Sequence, residues 1–117
     1  MPRRDAAWLR DMLNAARAAH AVTIGETYDS FLADIKINNP VVLQLLFMGE
    51  AAKSVSETTC QKYPHVNWRR WKRTRDTLIH VYFNIDLQLV WEAATQDLPA
   101  LIAQLEAIVE TEYGPKN

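Results

Sequence analysis

A carboxylate and an imidazole lie four residues apart in the second half of the chain, at Asp76 and His80. On a helix, residues at this spacing are neighbours on successive turns, so the carboxylate can orient the imidazole and stabilise its charged form. Imidazole is the side chain best suited to proton transfer near neutral pH. Taken alone, such a pair is more often a surface hydrogen bond than a catalytic pair, so the surrounding residues must decide.

Positive charge is concentrated just before this pair, in a basic strip that reads Arg69-Arg70-Trp71-Lys72-Arg73. The whole chain has a formal net charge of −1, so the remainder is slightly acidic. Cations interleaved with aromatic residues are typical of a surface that binds phosphates. Two alternatives stay open: a basic face that is only solvated, and a helix-turn-helix protein that reads DNA.

Arg75 is predicted to face the interior. If the chain is helical here, a turn of about 100° per residue places these side chains on one core-facing arc: Trp68, Trp71, Arg75, Leu78, Ile79 and Tyr82. A guanidinium cannot lose its charge, so Arg75 must either reach solvent or pair, with Glu50 as the candidate partner. Arg75 and His80 would point roughly 140° apart. They can still meet if the arginine bends to the flank, the helix distorts near its end, or a second protomer completes the site.

Helices joined by short connections are expected to position these residues, because apolar residues recur at helical spacing and no segment alternates like a strand. We predict four main helices, at about residues 5–22, 40–61, 66–84 and from Asp97 onwards, and two short ones at 27–33 and 86–94. The second main helix would start at Pro40 behind an asparagine cap. Within it, Gly49 indicates the close approach of a neighbouring backbone. Short loops between long helices predict an all-α, up-and-down antiparallel bundle.

Length and composition suit one ordinary globular domain over residues 1–117. Hydrophobic residues make up 49% and charged residues 23% of the chain, which is typical of neither disordered nor membrane proteins. Cys60 is the single cysteine, and no Cys and His set occurs at metal-ligand spacing. No apolar stretch approaches ~18 residues, and the N-terminus lacks a signal-peptide pattern. We therefore expect a cytoplasmic protein without a metal or cofactor.

The segment Arg75-Asp76-Thr77-Leu78-Ile79-His80-Val81-Tyr82 resembles the signature of the HEPN superfamily, and within it that of the HepT/MNT toxins. That signature is arginine, a polar residue, a few apolar residues and histidine, followed in the HepT branch by one residue and a tyrosine. Two positions depart from it: Asp76 stands where asparagine is commoner, and Arg73-Thr74 where a glycine often precedes the motif. The resemblance extends along most of the chain, to Phe31, Asp34, Gly49-Glu50-Ala51-Ala52, Pro64, Trp68, Asp86, Val90-Trp91, Leu98-Pro99 and Leu101.

The resemblance implies a HEPN-like bundle and a metal-independent endoribonuclease that cuts tRNA or mRNA as a homodimer, with both motifs lining one cleft. His80 would act as general base towards a ribose 2′-hydroxyl, or as acid towards the leaving oxygen. Arg75 would neutralise charge at phosphorus and Asp76 would orient His80, while Arg69, Arg70, Lys72 and Arg73 would hold RNA. It also implies a nucleotidyltransferase antitoxin that adenylylates Tyr82 and so blocks RNA. A catalytically inactive subunit that regulates a nucleotidyltransferase is the alternative.

Overall fold

Two long antiparallel helices form the frame of the fold. The computed structural model describes residues 3–79 and 84–114, in which α1 spans Arg3–Thr23 and α3 spans Ile35–Ser54, with the short α2, Tyr28–Ala33, between them. The start of α1 meets the end of α3, because the backbone N–H of Ser56 donates to a carboxylate oxygen of Asp5 at 3.0 Å. The two helices therefore run in opposite directions along most of their length.

The rest of the described chain packs against this pair and is mostly helical. His20 and Arg17 of α1 contact Ala94 and Glu106 respectively, so the C-terminal helices lie antiparallel to α1. No helix in the described ranges is long and apolar enough to cross a membrane. The predicted all-α antiparallel bundle is confirmed. The remaining elements are α4 (Glu57–Lys62), α5 (Trp68–Lys72), α6 (Thr74–Leu78), α7 (Leu87–Glu92), a π-helical turn (Ala93–Asp97) and α8 (Leu98–Tyr113).

The start predicted for the second main helix, at Pro40, is wrong. Helix α3 begins five residues earlier, and the Asp34 carboxylate caps it by accepting from the backbone N–H of Lys36 at 2.9 Å. Asn39, the predicted cap before Pro40, lies inside α3. The buried side chain of its neighbour Asn38 donates to the carbonyl of Phe31 at 3.0 Å. Pro40 thus sits inside the helix, where it removes one hydrogen bond near the exposed first turns.

The end predicted for the same helix, at residue 61, is also wrong. The chain turns extended at Val55, and the Ser56 hydroxyl then caps α4 by accepting from the N–H of Thr59 at 3.3 Å. Asp5 from α1 holds this corner, since its carboxylate accepts from both the backbone and the hydroxyl of Ser56 and from the hydroxyl of Thr59. A long-range contact that periodicity does not show therefore splits one predicted helix into two.

The third predicted main helix does not run to residue 84. It breaks at Arg73 and ends at Leu78, after which Ile79 is extended and pairs in an antiparallel bridge with Ile85. Next to this bridge, the N–H of Asp86 donates to the carbonyl of Leu78 at 2.9 Å. Asp86 then caps α7, as predicted, by accepting from the backbone N–H of Leu89.

The last predicted helix begins where expected, since α8 starts at Leu98, directly after Asp97. It is not separated from the preceding helix, however: α7, the π-helical turn and α8 follow one another without a gap, and the Asp97 side chain makes no capping bond. Pro99 cannot donate to the carbonyl of Thr95, and a widened turn just before it accommodates the proline in a continuous helix. Asp97 is thereby free to contact α5.

Candidate active site

A glycine lets the α5–α6 segment lie directly against α3. Gly49 is buried, and a Cβ added there would lie 3.0 Å from Thr74 Cβ and 3.3 Å from the carbonyl oxygen of Trp71. Only a residue without a side chain permits this contact without a shift, so the predicted close approach at Gly49 is confirmed. Trp68, Trp71 and Thr74 are all buried. Helix α3 therefore holds one face of α5 and α6 and leaves the other face to solvent.

Arg75 lies on the solvent face, so the prediction that it faces the core is wrong. The ideal helical phase fails because Arg73, between α5 and α6, departs from helical geometry (φ −97°, ψ 11°). Beyond that turn, Thr74 and Leu78 occupy the buried positions. The guanidinium of Arg75 therefore carries no desolvation penalty and needs no buried partner.

The charged groups near Arg75 leave it open to a ligand. Glu50 was the predicted partner, but its carboxylate is exposed and lies 3.4 Å from Nζ of Lys53, so that prediction is wrong. Among the residues that the structure describes, Arg75 forms no ion pair. Asp76 is exposed beside it. Both charged motif residues on α6 therefore face solvent.

The helix that carries Arg75 ends before the predicted catalytic histidine. Because Ile79 is already extended and paired with Ile85, the angle of an ideal helix cannot be carried from Arg75 to His80. Three arrangements could bring Arg75 and His80 together: a bent arginine, a distorted helix end or a second protomer. The structure shows a distorted helix end, which it describes as far as Ile79. His80 and Tyr82 themselves lie outside the described residues.

An open groove of about 740 Å³ lies between α4 and α5. We call it the α4–α5 groove. Arg69, Lys72 and Arg73 of the basic strip line it, so the structure brings together three of the four predicted phosphate-binding residues. The other lining residues come from α4, from the loop that follows and from the start of α5: Glu57, Cys60, Gln61, Pro64, His65, Val66, Asn67 and Trp68.

Arg70 is separated from the other cations of the strip. Its guanidinium pairs with the Asp97 carboxylate at 2.6 Å, and its Cζ lies 4.4 Å from the centre of the Trp71 ring. It lines a different cavity, of about 180 Å³, beside α7. Lys72 stays in the groove, with its Nζ 4.0 Å from the carboxylate of Glu57. The strip is therefore divided between two sides of α5.

Comparison with known proteins decides the family. The family model described as "Ribonuclease HepT-like" matches residues 12–108. The chain belongs to the HepT-like ribonuclease family. This confirms the relationship that the motif beginning at Arg75 predicted.

Relatives of the HepT-like chain cover nearly its whole length. A Methanocaldococcus jannaschii protein named "Putative RNase MJ0127" is 36% identical over 115 residues, which cover 97% of this chain and 95% of the relative. A Thermococcus cleftensis protein named "Probable ribonuclease HepT" is 31% identical over 108 residues, which cover 92% of this chain and 98% of the relative. No solved structure gives a significant match.

The groups with shifted pKa values in this HepT-like chain serve the fold rather than the site. Burial and the hydrogen bond to Glu112 raise the pKa of Tyr63 to about 12. Burial acts to raise the pKa of Asp5, but hydrogen bonds from Ser56 and Thr59 outweigh this effect and hold the pKa below its usual value. Burial also raises the pKa of the Cys60 thiol, which lines the groove in its neutral form. None of these shifts creates an acid or base that titrates at neutral pH.

Sequence reasoning missed the polar residues that complete the groove. None of Gln61, His65 and Asn67 is among the residues that the sequence predicts to bind RNA. Each lies within eight residues of Arg69, and the turn at Pro64 brings them alongside α5. The proline that marks this turn is the feature of the sequence that could have indicated the groove.

In the described ranges, no three His, Cys, Asp or Glu side chains are placed to hold a metal ion.

Proposed function

We propose that this protein is the toxin of a toxin–antitoxin pair and acts in the cytoplasm as a metal-independent endoribonuclease on tRNA or mRNA. The observation that carries the proposal is the exposed Arg75 on α6, which forms no ion pair with a described residue and lies next to a cation-lined groove, in a chain of the HepT-like ribonuclease family. An arginine in this position can bind a phosphodiester without first breaking an ion pair with any of those residues.

The proposed reaction is an internal transesterification of RNA. The ribose 2′-oxygen attacks phosphorus while the bond from phosphorus to the 5′-oxygen of the next nucleotide breaks, which leaves a 2′,3′-cyclic phosphate and a 5′-hydroxyl. One proton leaves the 2′-hydroxyl and one joins the departing 5′-oxygen, and His80 serves one or both transfers. Arg75 stabilises the charge that builds on the phosphoryl oxygens. Asp76, exposed on α6, orients His80.

The proposed control is a covalent modification next to the same site. A cognate nucleotidyltransferase antitoxin transfers AMP from ATP to the hydroxyl of Tyr82, two residues after His80, and releases pyrophosphate. Each AMP carries a negative charge and a bulky base, so it repels RNA and adds bulk close in sequence to His80. A homodimer that places two motifs in one cleft would present both copies of Tyr82 and His80 to one substrate.

Cleavage by purified variants tests the enzymatic part of the proposal. Labelled tRNA and mRNA are incubated with the wild type, His80→Ala, Arg75→Ala and the control Arg17→Ala, all in excess EDTA. Arg17 is another exposed arginine, on α1, whose surface ion pair with Glu106 contributes little. We expect loss of roughly 10²-fold or more for the His80 and Arg75 variants and little change for the control. Equal cleavage by all four proteins would refute the assignment.

The alternative function predicts a different pattern. A catalytically inactive regulatory subunit would bind a nucleotidyltransferase tightly and show no cleavage as the free wild-type protein. Intact mass measurement of protein made together with that enzyme tests the modification. Whole AMP units are expected on Tyr82, and units that map to any other residue would refute that part. Full cleavage activity in a monomeric form would contradict the shared cleft.

A further inference from the structure

We propose that the α4–α5 groove binds an unpaired stretch of RNA on one side of the scissile phosphate, so that this ribonuclease cuts single-stranded segments. The inference deepens the proposed function and rests on it for the position of the cut. It assigns a substrate-binding role to Gln61, His65 and Asn67, beside Arg69, Lys72 and Arg73. Its direct prediction, binding of RNA in this groove, is measurable without any cleavage.

The shape of the groove favours an unpaired base. Its volume of about 740 Å³ falls in the range of pockets that hold a ligand the size of a nucleotide. A paired RNA helix keeps its bases stacked inside and offers only sugars and phosphates to such a hollow. An unpaired base can leave the stack and enter it, which is how most sequence-selective RNA-binding proteins work.

Two of the cations in the groove are available to phosphates. Arg69 and Arg73 lie four residues apart, about one helical turn, and neither forms an ion pair with a described residue. Lys72 lies between them, with 26% of its side chain exposed, and faces Glu57 across the groove at 4.0 Å. Glu57 is the one acidic side chain in the lining, so it opposes the binding of an anion.

The opposite wall is held in place before any ligand arrives. The indole of Trp68 donates to the carbonyl of Tyr63 at 2.9 Å, and Gln104 of α8 donates to the carbonyl of His65 at 3.4 Å. The His65 ring meets the Tyr63 ring edge to face, with centres 6.1 Å apart. A loop fixed at these points presents the His65 imidazole at little entropic cost when a base binds.

Amide groups on this wall can recognise a base edge. Asn67 uses its side-chain oxygen to accept from the N–H of Arg70 at 3.2 Å, which leaves its NH₂ group for a ligand. Gln61 is exposed on the α4 side of the groove and offers both a donor and an acceptor. The groove thus combines phosphate-binding cations with groups that contact bases.

The groove leads directly to the proposed catalytic arginine. Arg73 lines the groove and precedes Arg75 by two residues, and two residues of chain span at most about 7 Å. A strand bound along Arg69 and Arg73 therefore reaches Arg75 with one of its next phosphates. The groove accordingly holds the nucleotides that flank the cut.

Binding of a non-cleavable RNA tests the inference. A fluorescein-labelled ten-nucleotide strand with 2′-O-methyl groups throughout is titrated with the protein at several salt concentrations, and anisotropy gives the affinity. The groove variant is Arg69→Ala with Arg73→Ala. The control, Arg10→Ala with Arg17→Ala, removes two exposed arginines from α1, away from the groove. Thermal unfolding checks that both variants are folded.

The salt dependence gives a quantitative expectation. Each cation that contacts a phosphate adds about 0.7 to the slope of log affinity against log salt for a single strand, so the groove variant should lose about 1.4. Between about 50 and about 200 mM salt, that is roughly a sevenfold smaller loss of affinity than for the wild type. Glu57→Gln should strengthen binding. A duplex of the same sequence should bind more weakly than the strand.

Several results would overturn the inference. Equal slopes for the groove variant and the control would remove the groove from binding, and tighter binding of the duplex would contradict the preference for unpaired RNA. A 4-thiouridine strand should crosslink to residues 61–69, and a crosslink confined to α1 or α3 would place the RNA elsewhere. Failure of the proposed function looks different: the strand binds in the groove as described, but cleavable RNA stays intact.

Discussion

Replacing Gly49 with alanine should push α5 and α6 away from α3. The added Cβ would lie 3.0 Å from Thr74 Cβ and 3.3 Å from the Trp71 carbonyl oxygen, tighter than most side-chain contacts, so α5 and α6 must move by a few tenths of an ångström. Overpacking of this kind costs about 1–3 kcal/mol, while the better helix propensity of alanine returns up to about 1 kcal/mol. We expect the free energy of unfolding to fall by about 0–3 kcal/mol.

A second substitution separates the effect of the close contact from the effect of helix propensity on the free energy of unfolding. Thr74→Gly removes the nearest group that the new methyl group would meet but leaves the Trp71 carbonyl oxygen at 3.3 Å, so in that background Gly49→Ala should destabilise the protein less than in the wild type. The four proteins form a double-mutant cycle, and urea unfolding measures each free energy. The loss of the Thr74 hydroxyl bond to the Trp71 carbonyl is common to both Thr74→Gly proteins and cancels.

The activity should respond more strongly than the stability. Because α6 carries Arg75 and Asp76, a small displacement of α6 moves the charged groups that must meet the phosphate, and misplacement of about 1 Å can cost about 10²-fold in rate. Cleavage by Gly49→Ala should therefore fall while the protein stays folded. If Gly49→Ala has the same effect on unfolding in both backgrounds, the close contact is not what the position requires, and the reasoning fails.

The titratable groups give three further predictions. The ionised Asp5 carboxylate contributes its full stability above its ordinary pKa of 3.8, and this contribution is lost as the pH falls towards the lower pKa of the folded state. In that acidic range, the urea midpoint should fall less steeply with pH in Asp5→Asn than in the wild type. Parallel curves for the two proteins would contradict this. The buried Cys60 thiol, with its raised pKa, should react with iodoacetamide only as fast as the protein opens, and a rate like that of a free thiol would contradict its burial. Glu112→Gln should bring the pKa of Tyr63 from about 12 back towards 10 in a spectroscopic titration, and an unchanged value would show that burial alone maintains it.

Helical periodicity predicted the fold class correctly but misplaced the joints between helices. Each misplaced joint depends on a partner far away in sequence or on a local conformation that periodicity does not encode. Asp5 reaches Ser56 from α1 and ends a helix that the apolar pattern would continue. Asp34 and Pro40 were both visible, but only the observed capping bond shows that the aspartate begins the helix.

The candidate site was predicted in its composition better than in its geometry. The motif beginning at Arg75 led to the correct family, because residue types and spacing carry that information. The orientation of Arg75 did not follow, since a single non-helical residue, Arg73, interrupts the helix two residues before it and places Thr74 rather than Arg75 at the buried position. The sequence did not predict the groove because its two walls come from α4 and α5. The distance between these helices depends on the tertiary structure, and neither segment determines it alone.

The pairing of Arg70 with Asp97 and of Lys72 with Glu57 limits how strongly the protein attracts RNA from a distance. Four cations among five adjacent residues suggest a surface that attracts anions strongly. On the folded surface, however, carboxylates offset two of those cations, and the whole chain has a formal net charge of −1. Long-range steering, which speeds encounters with any polyanion, is therefore weak. We therefore expect weak retention on bulk nucleic acid, so that the choice of target depends on the fit of the strand after contact rather than on the speed of capture.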